Sequence, residues 1–302
     1  MAFAFLRGPG HPDQACDRVA RALVEEYVKR DPESRLDIRV MGGHGALFIS
    51  GDIRSTADFD AGSTAKAALA SIDPVLSLEP FVSLERMESL PVRGAADPQA
   101  VFGYATDETP ERLPIASAYA RRILDEIERL RRDDPDWYWC GADYEVGVSV
   151  EKKRSLATVR LSHVPSIALD DLRMRAGSAL TRLLPDLEWR INPTGSDARG
   201  GLAGRVGSSR VTPLGGGYGS TLPQNGSGAG LHASHPLNRG AELARNAASE
   251  LVTSGACHAA WVELVYMPDE NLPVSIRVRT EKGAAFDARF PREFFSLIIQ
   301  SL

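Results

Sequence analysis

One order of elements recurs three times along the chain: an amphipathic helix, two short β-like runs and a second helix. In the first round, Ala15, Cys16, Val19, Leu23, Val24 and Tyr27 share one helical face, with Pro12 suited to the first turn and Asp31-Pro32 as the stop. The runs Arg35–Met41 and Ala46–Ile53 flank Gly42-Gly43-His44-Gly45 as a hairpin, and a helix over Thr56–Ile72 ends at Asp73-Pro74. The second round opens at Pro114 with a helix marked by Ile115, Tyr119, Ile123, Ile127 and Leu130. Strands Tyr144–Val150 and Leu156–His163 follow, then a helix marked by Leu169, Leu172, Ala176, Ala179 and Leu183. The third has a helix near Arg239–Ser254, strands near Ala259–Met267 and Val274–Thr280, and a closing helix near Pro291–Ile299.

This repetition predicts an α+β fold of three similar α/β units, over 1–96, 97–198 and 199–302. Each unit would carry a sheet with one face under helices and the other packed inward. A single irregular α/β sheet is the competing arrangement. The 302 residues are 43% apolar and 25% charged, which excludes disorder and collagen, and the net charge of −5 argues against a nucleic-acid partner. Five lysines stand against an otherwise arginine-borne positive charge, so cation chemistry here falls to guanidinium. Three scattered cysteines, Cys16, Cys140 and Cys257, suit reduced thiols in a cytoplasm, and no run approaches the roughly 20 apolar residues that cross a bilayer.

Residues 199–230 break the pattern. Glycines crowd there with Arg199, Arg205 and Arg210, a composition fit either for cradling an anion with backbone N–H groups and guanidinium or for linking two units. Gly228-Ala-Gly230-Leu-His-Ala233 mimics a dinucleotide fingerprint but lacks the strand that must precede it. His232 and His235 have no third metal ligand at zinc spacing, which leaves a solvated pair or a phosphate donor. Trp137-Tyr138-Trp139 reads as packing, and Asp170-Asp171 as solvated helix-end charge. Gly8-Pro-Gly-His11-Pro-Asp13-Gln14 sets a His and an Asp two residues apart at a helix start, where free N–H groups favour anions; the bland alternative is a cap and a surface His.

Taken in order, Gly10-His-Pro-Asp-Gln14, Ser50-Gly-Asp-Ile53, Val101-Phe-Gly-Tyr-Ala-Thr-Asp-Glu-Thr109, Ile191-Asn-Pro-Thr-Gly195 and Asn238-Arg239 resemble the S-adenosylmethionine synthetases. The resemblance spans nearly the whole chain and implies three pseudo-threefold-related α/β domains. It implies attack of methionine sulfur on C5′ of ATP, loss of the triphosphate and its hydrolysis to phosphate and pyrophosphate. That reaction needs in-line alignment, dense positive charge at the leaving group and Mg²⁺. Carried over by position, His11 sits at the leaving oxygen, Asp13 and Asn238 are the magnesium positions, and Arg210 is a phosphate-side arginine. Asp52 and Asp97 match acidic positions that contact methionine and the nucleoside, and Arg205, His232 and Arg239 line the same ligand. The resemblance further implies sites between two subunits, hence a homodimer or dimer of dimers, with no nucleic acid or membrane as partner.

The departures concentrate in the site. Gln14 stands for the family's Lys, Asp52 for Glu, and Asn238 for the second magnesium carboxylate. Arg39 falls where an acidic residue helps hold K⁺, so a guanidinium replaces the ion. Gly141-Ala-Asp143-Tyr-Glu-Val146 replaces PDxKSQV and loses a phosphate-side Lys, Asp197 takes the adenine-stacking Phe position, and Arg205 replaces an acidic residue. The expectation is a divergent, shortened synthetase-like transferase that keeps its phosphate cradle by substituting arginine for lysine, with a non-catalytic nucleotide-binding paralogue or partner subunit as the alternative.

Overall fold

The computed structural model describes residues 2–88, 94, 96–151, 154–212, 217–219, 223–283 and 290–298; Gly215 and Gly216 of the glycine-rich stretch, Lys152, Lys153 and Ile299 lie outside them. The first round contains helix α1 (Pro12–Arg30), hairpin strands β2 (Arg35–Gly43) and β3 (Ala46–Arg54), helix α2 (Ala61–Ala70) and strand β4 (Glu79–Arg86). The second repeats it with α3 (Ile115–Asp133), β6 (Cys140–Val150), β7 (Ser155–His163), α4 (Leu169–Leu183) and β8 (Glu188–Ile191). In both, an antiparallel hairpin leads through a helix to a strand that returns parallel to the hairpin's second strand, the crossover that parallel pairing requires. The third has the one-turn helix α5 (Gly201–Gly204) and α6 (Ala241–Thr253), the latter preceded by a π turn over Pro236–Gly240, then β10 (Ala259–Tyr266) and β11 (Ser275–Thr280).

The strand that precedes each first helix is given away to another unit. β1 (Ala2–Arg7), ahead of α1, pairs with β6; β5 (Gln99–Thr106), ahead of α3, pairs with β10; and β9 (Gly207–Ser208), ahead of α6, pairs with β2. The sheets therefore run β4-β3-β2-β9, β1-β6-β7-β8 and β11-β10-β5. This cyclic exchange crosses the proposed divisions at 96/97 and 198/199 and ties three cores into one body.

Each sheet buries one face. Leu36, Ile38, Val40, Leu47 and Ile49 meet α1 and α2; Val146, Val148, Val159 and Leu161 meet α3 and α4; Val101, Val262, Leu264 and Val278 meet α6. Side chains on the opposite faces alternate with these along each strand. Met41, Phe48 and Phe81 are exposed there, the two rings stacked at 5.2 Å.

Two predicted helices differ. Over Thr56–Ile72 the helix starts only at Ala61, because Thr56 donates its N–H to Asp31 at 2.7 Å while Asp60 accepts from Ser63 N–H and caps the later start. Near Pro291–Ile299 there is a single 3₁₀ turn, Arg292–Phe295, since Leu297 N–H bonds Asn271 O and holds the chain extended. Trp137 and Trp139 pack as predicted, ring centroids 5.0 Å apart, with Tyr138 left exposed.

Candidate functional site

Between β1 and α1 the chain turns through Gly8-Pro9-Gly10 while still bonded to β6, Gly8 N–H to Tyr144 O and Gly10 N–H to Ala142 O. A Cβ on Gly10 would come within 2.5 Å of the Ala142 backbone, so only glycine allows this approach. The turn delivers His11 to the N-cap of α1, where its Nδ1 accepts Asp13 N–H at 3.2 Å. With Nδ1 an acceptor, the neutral ring carries its proton on Nε2, which faces Glu145 Oε1 at 2.8 Å.

Glu145 belongs to a row of alternating charge across the open face: Arg7 on β1, Glu145 on β6 and Arg160 on β7 are direct cross-strand neighbours. The hydrogen bond from His11, together with the field of Arg160, lowers the Glu145 carboxyl to about 2 against the cost of burial. Burial weighs against charge on Arg160, but Asp143 and Glu145 outweigh it and hold the guanidinium protonated. Arg160 donates to Asp143 at 2.8 Å, to Glu145 at 3.2 Å and to Asp197. Asp143 is buried and also accepts from Arg205 and from Gly201 N–H at 2.5 Å. Asp13 receives Arg7 at 2.6 Å on one oxygen and Ser208 N–H at 3.0 Å on the other. His11, Asp13 and Arg205 are thus brought together, around carboxylates that already engage each guanidinium.

A second group forms around Asp37. Arg210, at φ +68°, donates its N–H to buried Asp17, Nε to Ala229 O, and Nη2 to Asp37 and Ile38 O. Asp13 and Asp17, one helical turn apart on α1, therefore pin the chain around β9 by two N–H groups. Arg39 is exposed with its Nε 3.8 Å from Asp37, and Asp52 lies directly opposite Asp37 across the hairpin. His232 and His235 are buried rather than solvated, and burial pushes them down to about 4 and about 3. Asn238 spends its Nδ2 on three carbonyls, those of Gly228, Leu231 and His232. Arg239 pairs with Glu242 at 2.9 Å on the rim of a cleft of about 1080 Å³, and Asp97 is exposed.

Comparison with known proteins agrees with this architecture. Residues 7–79 match the S-adenosylmethionine synthetase N-terminal domain and residues 92–196 the central domain. S-adenosylmethionine synthase 1 of Rhodopseudomonas palustris is 30% identical over 305 residues, covering 90% of this chain and 78% of its own length. The chain belongs to the S-adenosylmethionine synthetase family. The synthases of Methylobacterium radiotolerans and Hyphomonas neptunium are each 26% identical, over 89% and 95% of the chain. The mixed α/β units are of the synthetase type.

Within this synthetase frame, the magnesium positions do not fit the ion as they stand. Both oxygens of Asp13 are bonded, one to a guanidinium that would repel a divalent cation, and Asn238 offers a neutral amide oxygen in place of a carboxylate. Among the described residues no three His, Cys, Asp or Glu side chains converge as metal ligands. Among the described residues no helix is long and apolar enough to cross a membrane. Sequence reasoning missed Arg7, Asp17, Asp37 and Arg160 and named Asp143 and Glu145 only as departures. The Glu145–Arg160 pair had a signal, since a hairpin closing at Val150 and Ser155 sets 145 opposite 160; Arg7 had none, because β1 reaches β6 across more than a hundred residues.

Proposed function

We propose that this chain is a synthetase-type transferase acting on an adenosyl-bearing ligand held on the open sheet faces beside the start of α1. The reaction to test first is ATP plus methionine to S-adenosylmethionine with release of phosphate and pyrophosphate; transfer or phosphate release on a related substrate is the variant. One observation carries the reading: His11 presents its Nε2 N–H beside Glu145, Arg160 and Arg205, the arrangement that donates a hydrogen bond to a leaving oxygen and steadies the charge developing on it. Glu145 fixes the ring and must yield its hydrogen bond to the substrate oxygen. Asp13 supports the turn through Ser208 and Arg7 rather than through a metal. Arg39 beside Asp37 supplies the positive charge that K⁺ supplies elsewhere in the family, and the bare Met41, Phe48 and Phe81 suit burial against a second copy.

The test is turnover of methionine with ATP, MgCl₂ and KCl, followed by mass spectrometry. His11→Ala is expected to lower kcat at least a hundredfold and, through the lost helix cap, stability by about 1 kcal/mol; full activity in that variant would sink the assignment. The closed ion pairs around Asp143 favour a second reading, a nucleotide-binding paralogue or partner subunit without turnover. In that case adenine nucleotides raise the melting temperature but no product forms.

A further inference from the structure

We infer that Asp143 is the specificity-determining residue of this site: as an internal carboxylate it fills the anion seat formed by Arg160, Arg205 and Gly201 N–H. The chain consequently takes adenosyl ligands with a short phosphate tail, or none, in preference to a polyphosphate. The inference rests on the adenosyl reading above and chooses between its two reactions, favouring the related substrate over ATP.

Two guanidinium groups and a backbone N–H converging on one point are what a phosphate oxygen seeks. Here they converge on Asp143, which takes Arg160 Nη2 at 2.8 Å, Gly201 N–H at 2.5 Å and Arg205 Nη2. The residue is only 2% exposed. The glycine loop is drawn over it so closely that a Cβ on Gly200 would lie 2.4 Å from the Ser162 side chain and 3.1 Å from Asp143 Oδ2. Yet the seat borders open space: Asp143, Gly200 and Gly201 line a cleft of about 370 Å³, and Glu145 and Arg160 line another of about 350 Å³.

The charges of the group add to the effect. Arg7, Arg160 and Arg205 face Asp13, Asp143, Glu145 and Asp197, so carboxylates already outnumber guanidinium groups before any ligand arrives. An incoming polyphosphate must displace one of them. Glu145 and Asp197 are partly exposed and can turn to water, but Asp143 cannot leave without becoming a buried unpaired charge. An uncharged adenosine makes no such demand.

The experiment is calorimetric titration of the full chain with inorganic tripolyphosphate, adenosine, AMP and ATP. Wild type is expected to bind AMP more tightly than ATP and tripolyphosphate weakly. Asp143→Asn, which keeps the shape and removes the charge, should bind tripolyphosphate at least tenfold more tightly and adenosine within twofold of wild type; adding Arg205→Ala should abolish the gain. Equal tripolyphosphate affinity in wild type and Asp143→Asn, or a tenfold preference of wild type for ATP over AMP, overturns the inference. Should Asp143→Asn not fold, Arg205→Ala in the wild-type background decides: tripolyphosphate binding within twofold supports a committed guanidinium, and a tenfold loss overturns it. If no adenosine compound binds any variant, the adenosyl reading falls while the tripolyphosphate titrations still judge Asp143.

Discussion

Arg205 and Arg210 lie five residues apart on one glycine-rich segment, and the fold treats them in opposite ways. Arg205 is about a third exposed, and among the described residues its guanidinium pairs with carboxylates alone, Asp143 and more distantly Glu145. Arg210 is 7% exposed and holds two backbone carbonyls besides Asp37, while its own N–H is taken by Asp17. Bonds between side chains can be exchanged for bonds to a ligand, whereas bonds to backbone carbonyls hold the path of the chain. The region around Asp143 is thus suited to recognition and the region around Asp37 to fixing β9 and the glycine segment against β2. Carrying both arginines over as phosphate contacts assigns them one role, and their surroundings give them two.

The sharpest way to break this contrast is to remove each guanidinium in turn. Arg210→Ala leaves Asp17 with its backbone partner but strips Asp37, Ala229 O and Ile38 O of theirs, and should cost about 3–5 kcal/mol. Arg205→Ala, at a side chain a third exposed, should cost nearer 1 kcal/mol. Urea unfolding of the two variants measures both, and equal losses would erase the distinction.

Acid separates the regions next. His232 and His235 are held below their ordinary value by burial, so they stay neutral in the fold but take up protons when it opens. Their contribution is complete above about pH 6.5 and is lost as the pH falls toward 4 for His232 and toward 3 for His235, on the order of 3 kcal/mol for His232 alone. Glu145, lowered by His11 and Arg160, works through a different window: its contribution is complete above about pH 4.5 and is lost toward pH 2. Stability against pH should therefore fall in two steps, the Asp37 region first. Glu145→Gln should leave the upper step unchanged and flatten the lower one; a single step near pH 4 would contradict the assignment.

What the sequence disclosed follows the range of the interactions involved. The hairpins β2–β3 and β6–β7 and the helices α1, α3 and α4 are local, and their periodicity shows in a short window. Strands β1, β5 and β9 are paired only across the cyclic exchange, so nothing near them in sequence marks them as strands. The site divides the same way. That His11 and Asp13 stand at a helix start was legible in the local sequence. The commitments of Asp143 to Arg160 and Arg205, and of Arg210 to Asp37 and Ile38, depend on which distant strands become neighbours. Residue identities can suggest a phosphate cradle; only the assembled partners show whether its cations are free.

The smallest effect probes the open face of the β2–β3–β4 sheet beside the Asp37 region. Asp37, Asp52 and Glu85 form one cross-strand row over β2, β3 and β4, three carboxylates side by side, with Arg210 and Arg39 reaching only Asp37. Like charges directly opposite one another in a sheet oppose pairing by a few tenths of a kcal/mol. Asp52→Asn should therefore stabilise the free chain by about 0.5 kcal/mol, more at low salt than at high salt. If Asp52 meets the cationic end of an amino-acid substrate, as the resemblance implies, removing its charge also weakens that contact. The same variant should then bind methionine more weakly although it folds more tightly. Calorimetry with methionine, set beside urea midpoints at two salt concentrations, separates the outcomes: a gain in stability with unchanged methionine binding would leave Asp52 a feature of the sheet alone.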